Sequence, residues 1–126
     1  MMSANQNRCP FLEVDLDKLR ENLEELIEHC HDSSVEIAGV VKGATALPEV
    51  VRVFANSGVR FVATSRVDQL RIIRQMGIQK PLMLIRIPML SELEDVVALS
   101  DVSLQSDLTV IRALNAEAQR QGKLHQ

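Results

Sequence analysis

Short apolar runs alternate with amphipathic helical segments along the whole chain, and this alternation narrows the possible folds more than any other feature. Val35 to Lys42 is apolar almost throughout, as a strand covered on both faces must be. Pro48 suits the first turn of a helix that carries Val50, Val51 and Phe54 inward and stops at Gly58. Val59 to Thr64 reads as the next strand. Ser65 with Asp68 reads as a capping pair, opening a helix with Leu70, Ile73 and Met76 that stops at Gly77. Pro81 to Ile87 repeats the strand pattern, and Ser91 with Glu94 opens a helix carrying Leu93, Val96 and Val97. Val102 to Gln105 is a short strand, followed by a helix marked by Leu108, Ile111 and Leu114 and ended by Gly122.

The start of the chain fits the same pattern. Met1 to Pro10 is polar and reads as a disordered tail, leaving 11–126 as the folded part. Phe11 to Leu16 alternates apolar and acidic residues, the period of a half-buried strand. From Leu16 the period changes: Leu19, Leu23, Leu26, Ile27 and Cys30 share one helical face, and Asp32-Ser33-Ser34 ends it. About five βα units result, an α/β chain with a parallel sheet. A doubly wound open sheet would be complete at this length, whereas a (β/α)₈ barrel needs ~250 residues. Lys123 to Gln126 reads as the entry to a further strand, and no glycine-rich phosphate loop follows any strand. The expectation is therefore the N-terminal part of a (β/α)₈ TIM-type barrel, truncated or split before its later strands. Such a half-barrel leaves strand edges unpaired, so a homodimer or association with the missing half is expected.

Composition removes several function classes. The 126 residues are 46% hydrophobic, enough for a core, with net charge −3 and a pI near 5.6. That balance offers no basic footprint for nucleic acid. Aromatic residues make up 2%, with no Trp or Tyr, so stacking platforms for single strands are missing as well. No apolar run has the length of a membrane span and no signal-peptide order opens the chain, which leaves the cytoplasm as the expected location. Cys9 and Cys30 make no disulfide framework.

Lys42 is the residue with the clearest chemical potential. It ends the apolar run Ile37-Ala38-Gly39-Val40-Val41 and precedes Gly43-Ala44-Thr45. An amine at the carboxyl end of a parallel strand is placed to attack a carbonyl compound, and burial would favour its neutral, nucleophilic form. The alternative is a lysine reaching from a strand end into water with its stem on the core. Other candidates have plainer explanations. His29, Cys30 and His31 are consecutive, so they point in different directions around a helix, and no metal site is expected. Asp15 and Asp17 suit the start of a helix dipole, and Ser65 and Ser91 suit caps. Gly39 in mid-strand fits either a close backbone approach or simple packing.

Phe11-Leu-Glu-Val-Asp-Leu-Asp-Lys-Leu-Arg-Glu-Asn22 resembles the opening of the alanine racemase N-terminal domain family, the fold-type III enzymes that use pyridoxal 5′-phosphate. Val40-Val41-Lys42-Gly43 matches the place of that family's cofactor lysine. Lys42 to Thr45 with Leu47-Pro48-Glu49-Val50-Val51, Thr64-Ser65-Arg66, and Leu84 to Glu94 resemble the ornithine racemase branch. The resemblance implies a pyridoxal-phosphate-dependent amino-acid racemase, with Lys42 forming a Schiff base to the cofactor and serving as one of two bases. It implies a small amino-acid substrate, ornithine or another basic amino acid. Arg66 and Arg86, just past neighbouring strand ends, are then candidates for binding the cofactor or the substrate carboxylate; a rim arginine paired to a carboxylate is their other reading. In the family the phosphate loops and the second base come largely from later strands and a C-terminal domain, so the fragment alone is expected to be inactive.

Other functions compete with this one. A non-catalytic pyridoxal-phosphate carrier barrel also keeps a lysine on an early strand, but usually with Ser-Lys-Thr where this chain has Val41-Lys42-Gly43. A cofactor-free lyase would use Lys42 on a keto substrate, and an inactive fragment would use it for nothing.

Overall fold

The computed structural model describes residues 10–126. It contains five α-helices, α1 (Leu16–His31), α2 (Pro48–Ala55), α3 (Val67–Gln75), α4 (Leu93–Leu99) and α5 (Leu108–Gln121). Between them run four strands, β1 (Ala38–Val40), β2 (Phe61–Thr64), β3 (Leu82–Leu84) and β4 (Val102–Ser103). The strands pair in parallel in the order β1-β2-β3-β4. Chain order and sheet order coincide, so no reversal creates the crevice of a doubly wound sheet. This is the succession of a barrel wall, and the parallel α/β architecture expected from the alternation is present.

The register divides the sheet into two unlike faces. Gly39, Val62 and Leu82 are in register, as are Thr64, Leu84 and Ser103, while Val40, Ala63, Met83 and Val102 occupy the alternate positions. Val62, Leu82, Leu84 and Thr64 have no exposed surface, because the helices cover their side. Val40 on the other side is 42% exposed, and Met83 and Val102 are half-buried. Gly39 makes the close helix–sheet approach possible: a Cβ there would lie 2.3 Å from Cδ1 of Phe54 on α2. The core under the helices is aliphatic, built on Leu70, Ile73, Leu82 and Leu84; each such side chain contributes about 1.5–3 kcal/mol on burial.

Two cations staple the amino end of the sheet. Arg74 Nη2 donates to Asp101 at 2.7 Å, its Nε to the Leu99 carbonyl at 2.9 Å and its Nη1 to the Ile78 carbonyl at 3.1 Å. Asp101 also accepts from the Leu82 N–H, which joins the helix-side loops to β3. Lys80 Nζ donates to the carbonyls of Ser57 and Val59.

Three expectations need correction. Phe11 to Leu16 forms no strand: Phe11 is 80% and Leu12 86% exposed, and no neighbouring strand takes up their backbone groups. The acidic alternation there serves α1 instead, since Asp15 is its N-cap and accepts from the N–H groups of Asp17 and Lys18. The described chain thus has four strands rather than five. Neither serine caps its helix. Arg66, in extended conformation, occupies the N-cap position of α3. Ser91 lies inside a 3-10 turn, Leu90–Glu92, where the Glu92 carboxylate takes the Met89 N–H at 2.8 Å. The disordered tail proposed for 1–10 falls, save Pro10, outside the described residues.

At the other end of the chain the expected strand entry is visible in hydrogen bonds. Gln126 N–H donates to the Asp101 carbonyl at 3.0 Å and the Gln126 carbonyl accepts from Ser103 N–H at 2.8 Å. These two bonds are one step of a parallel ladder on the free edge of β4. Among the described residues no helix is long and apolar enough to cross a membrane.

Candidate functional site

Polar side chains gather at the carboxyl end of the sheet. Lys42, Arg66, Arg86 and Gln105 each stand two residues beyond the last residue of β1, β2, β3 and β4. Hydrogen bonds tie these strand ends together: Val41 N–H donates to the Ala63 carbonyl, Ile85 N–H to Thr64, and Leu104 N–H to Leu84, at 2.9, 3.0 and 3.0 Å. Loops on such a scaffold hold their side chains in fixed relation.

Lys42 opens a tight turn. The Val41 carbonyl accepts from both Ala44 and Ala46, and the Lys42 carbonyl accepts from Thr45. The turn closes through two successive non-glycine residues with positive φ, Thr45 at 49° and Ala46 at 55°. A left-handed conformation costs a residue with a side chain about 1–2 kcal/mol, and such strain concentrates at functional sites. Buried Ala46 and the Pro48 start of α2 hold the turn in place. Lys42 itself is exposed, so the burial considered from its strand-end position is not provided by the described residues.

The four lysines of the chain differ sharply in what they touch. Lys80 holds two carbonyls, Lys123 donates to the Ala98 carbonyl, and Lys18 pairs with Asp15. Lys42 has no hydrogen-bond or ion-pair partner among the described residues. Among the described residues it is therefore the lysine amine left without a partner, and it suits the carbonyl carbon of an aldehyde.

Arg66 and Arg86 come together, but in a different place. They line one cleft with Val67, Asp68, Arg71, Glu92 and Asp95, between the starts of α3 and α4, and Lys42 does not line it. Arg66 is exposed and grips Asp68 with two bonds of 3.0 and 2.9 Å; this hydrogen-bonded pairing holds the Asp68 carboxyl below its ordinary range. Arg86 is more committed. Its Nη1 and Nη2 donate to the two Glu92 oxygens at 2.9 and 2.7 Å, its Nε donates to the Ser65 carbonyl at 2.6 Å, and Nη1 also reaches the Ile87 carbonyl. The Arg86 hydrogen bonds hold the Glu92 carboxyl below its ordinary range. An arginine so engaged has one N–H left for a ligand. The free amine thus fits a cofactor aldehyde, whereas the positive charge that would meet a phosphate is already paired.

Two residues were not singled out from the sequence. Glu92 follows Met89 by three, the spacing at which an acid reaches back to a turn's first N–H, and that was the available signal. Gln105 carries a side-chain amide whose oxygen and nitrogen are both buried without a partner; nothing in its sequence context marks it. The histidines beside Cys30 end α1, and no group of three His, Cys, Asp or Glu among the described residues is arranged to hold a metal.

The fold is shared with a solved racemase. An alanine racemase from Clostridium difficile 630 superposes with a TM-score of 0.69, covering 83% of this chain and 28% of that one at 20% identity. The match shows the fold, a parallel α/β barrel wall. Residues 14–126 match the alanine racemase N-terminal domain, and the chain belongs to that family. It is 35% identical over 116 residues to the ornithine racemase of Acetoanaerobium sticklandii, covering 92% of this chain and 32% of that protein. It is 30% identical over 106 residues to the lysine racemase of Thermotoga maritima, covering 84% of this chain and 30% of that one. The chain spans about a third of the length of these relatives.

Proposed function

We propose that this chain is the cofactor-linking part of a pyridoxal-phosphate-dependent racemase acting on a basic amino acid, with Lys42 as the linking amine. The observation that carries the proposal is the Lys42 side chain, without a partner among the described residues, on a strained turn at the mouth of a parallel barrel wall. Membership of the racemase family supports the reaction class. The similar proteins that act on ornithine and on lysine support a substrate with a second amine.

Pyridoxal phosphate, when bound, supplies the electron sink that makes a substrate Cα proton acidic. The protein's own contribution is Lys42. Its amine would hold the cofactor through the aldehyde, and as a neutral free amine it would be a group able to accept or return the Cα proton. Racemisation needs a group on each face of Cα, so a second base must face Lys42 across the substrate. Arg66 keeps an exposed guanidinium that can leave Asp68 for an anionic ligand, and we assign cofactor or substrate contact to it before Arg86.

The test is to add pyridoxal phosphate, reduce with borohydride, and map the modified lysine. Labelling concentrated on Lys42 and lost in Lys42→Ala is the expected result. Labelling spread over Lys18, Lys80 and Lys123, with Lys42 no better than they are, would remove Lys42 from this role.

A further inference from the structure

We propose that Glu92 is a positioning residue for the Lys42 site, acting through Arg86 on the mouth of β2; the proposal rests on Lys42 being the cofactor-linking amine. Hydrogen bonds and a short stretch of β2 backbone connect Glu92 with the Lys42 turn. The backbone just before Lys42 is fixed by Val41 N–H on the Ala63 carbonyl. The next carbonyl, Thr64, is fixed by Ile85 N–H, and the one after it, Ser65, by Arg86 Nε. Arg86 can reach Ser65 in this way because Glu92 takes the other two arms of the guanidinium. Glu92 is oriented in turn by the Met89 N–H. Four hydrogen-bonded contacts, Met89–Glu92, Glu92–Arg86, Arg86–Ser65 and Ala63–Val41, joined through the backbone of residues 63–65, therefore run from the β3–α4 loop to the turn that presents Lys42, with Ile85–Thr64 bracing them.

The environment of the pair favours this role. Arg86 and Glu92 side chains are 33% and 21% exposed, and Arg86 is also tied to the Ser65 carbonyl, so this two-bond fork is held better than the more open pairs around it. The neighbouring Arg66–Asp68 and Arg71–Asp95 pairs are far more exposed. The fork also compensates the charge of Arg86, which makes it a poor anchor for a phosphate and a good strut between two loops. Shells of this kind orient the groups that do the chemistry.

The experiment uses the 126-residue chain with two probes, pyridoxal 5′-phosphate and pyridoxal, each trapped by borohydride. The readout is label at Lys42 relative to Lys18, under conditions where circular dichroism shows the variant folded. Glu92→Ala is expected to lower the Lys42 ratio roughly 3- to 30-fold, equally for both aldehydes. Glu92→Gln, which still offers an acceptor to Met89 and Arg86, is expected to restore part of it. An unchanged ratio overturns the proposal. So does a loss confined to the phosphorylated probe, which would make Arg86 a direct phosphate contact. If the unsubstituted chain labels Lys42 no better than Lys18, the cofactor reading fails. The strut is then judged by amide exchange at Val41 and Ile85, where unchanged protection in Glu92→Ala overturns it.

Discussion

Replacing Gly39 by alanine tests how the sheet and α2 fix the turn that carries Lys42. The new Cβ would meet Phe54 Cδ1 at 2.3 Å, Cε1 at 3.0 Å and Cγ at 3.3 Å. Carbon atoms in contact prefer about 3.5–4.0 Å, so the ring must retreat by more than an ångström or α2 must lift off β1. Overpacking of this kind costs about 1–3 kcal/mol. Gly39 has no positive φ, so alanine also restricts the unfolded chain and returns about 0.4–1 kcal/mol. A net loss of about 0.5–2 kcal/mol remains. With an unfolding entropy near 2.1 cal/mol/K per residue, 1 kcal/mol corresponds to about 4 °C for a chain of 126 residues. Thermal unfolding followed by circular dichroism should therefore show a fall of roughly 2–8 °C. In a Phe54→Leu background, which removes the ring, the same alanine should cost nothing or stabilise. An equal cost in both backgrounds, or none in either, would refute the close approach as the reason for glycine.

Thr45→Gly should stabilise the chain by about 0.5–1 kcal/mol, because removing the left-handed penalty outweighs the extra freedom glycine brings. Urea unfolding checks it, and a destabilised variant would show that the Thr45 side chain contributes more than its strain costs. Acid should loosen the C-terminal segment through His125. Burial lowers its pKa from 6.5, and its ring contacts Ser103 Oγ at 2.7 Å. The folded chain binds this proton less readily than the unfolded one. The stability His125 contributes is thus complete above about 6.5 and is lost as pH falls through its lower folded value. Proton NMR of the imidazole should give a midpoint below that of the unfolded chain, and a midpoint at or above 6.5 would sink the argument.

The fold was legible where a pattern extended over several turns. Every helix marked by a repeating aliphatic face is present, and the parallel order followed from strands spaced for crossover helices. What failed depended on who takes up a particular polar group. Phe11 to Leu16 has the period of a strand, yet period says nothing about whether a partner edge exists. Ser65 and Ser91 have the spacing of caps, but Ser65 gives its carbonyl to Arg86 and Ser91 loses the position to Glu92. Lys42 could be singled out because a charge at the end of an apolar run is unusual in itself. Its separation from the Arg66–Arg86 cleft could not, since that depends on guanidinium contacts with Asp68 and Glu92. Gln105, with its unpartnered amide, looks like any loop glutamine until the fold buries it.

The agreement of chain order with sheet order bears on how the protein is made. Each strand pairs with the strand about twenty residues before it, so every step of sheet growth uses a loop of similar, modest length. Contacts of that range carry a smaller loop-closure cost than more distant ones, and synthesis from the amino end delivers the units in the order they dock. The sheet can therefore lengthen at the ribosome one βα unit at a time, each new strand finding its template already in place. Among the described residues β1 keeps the same open edge throughout that growth, and the newest strand supplies the other.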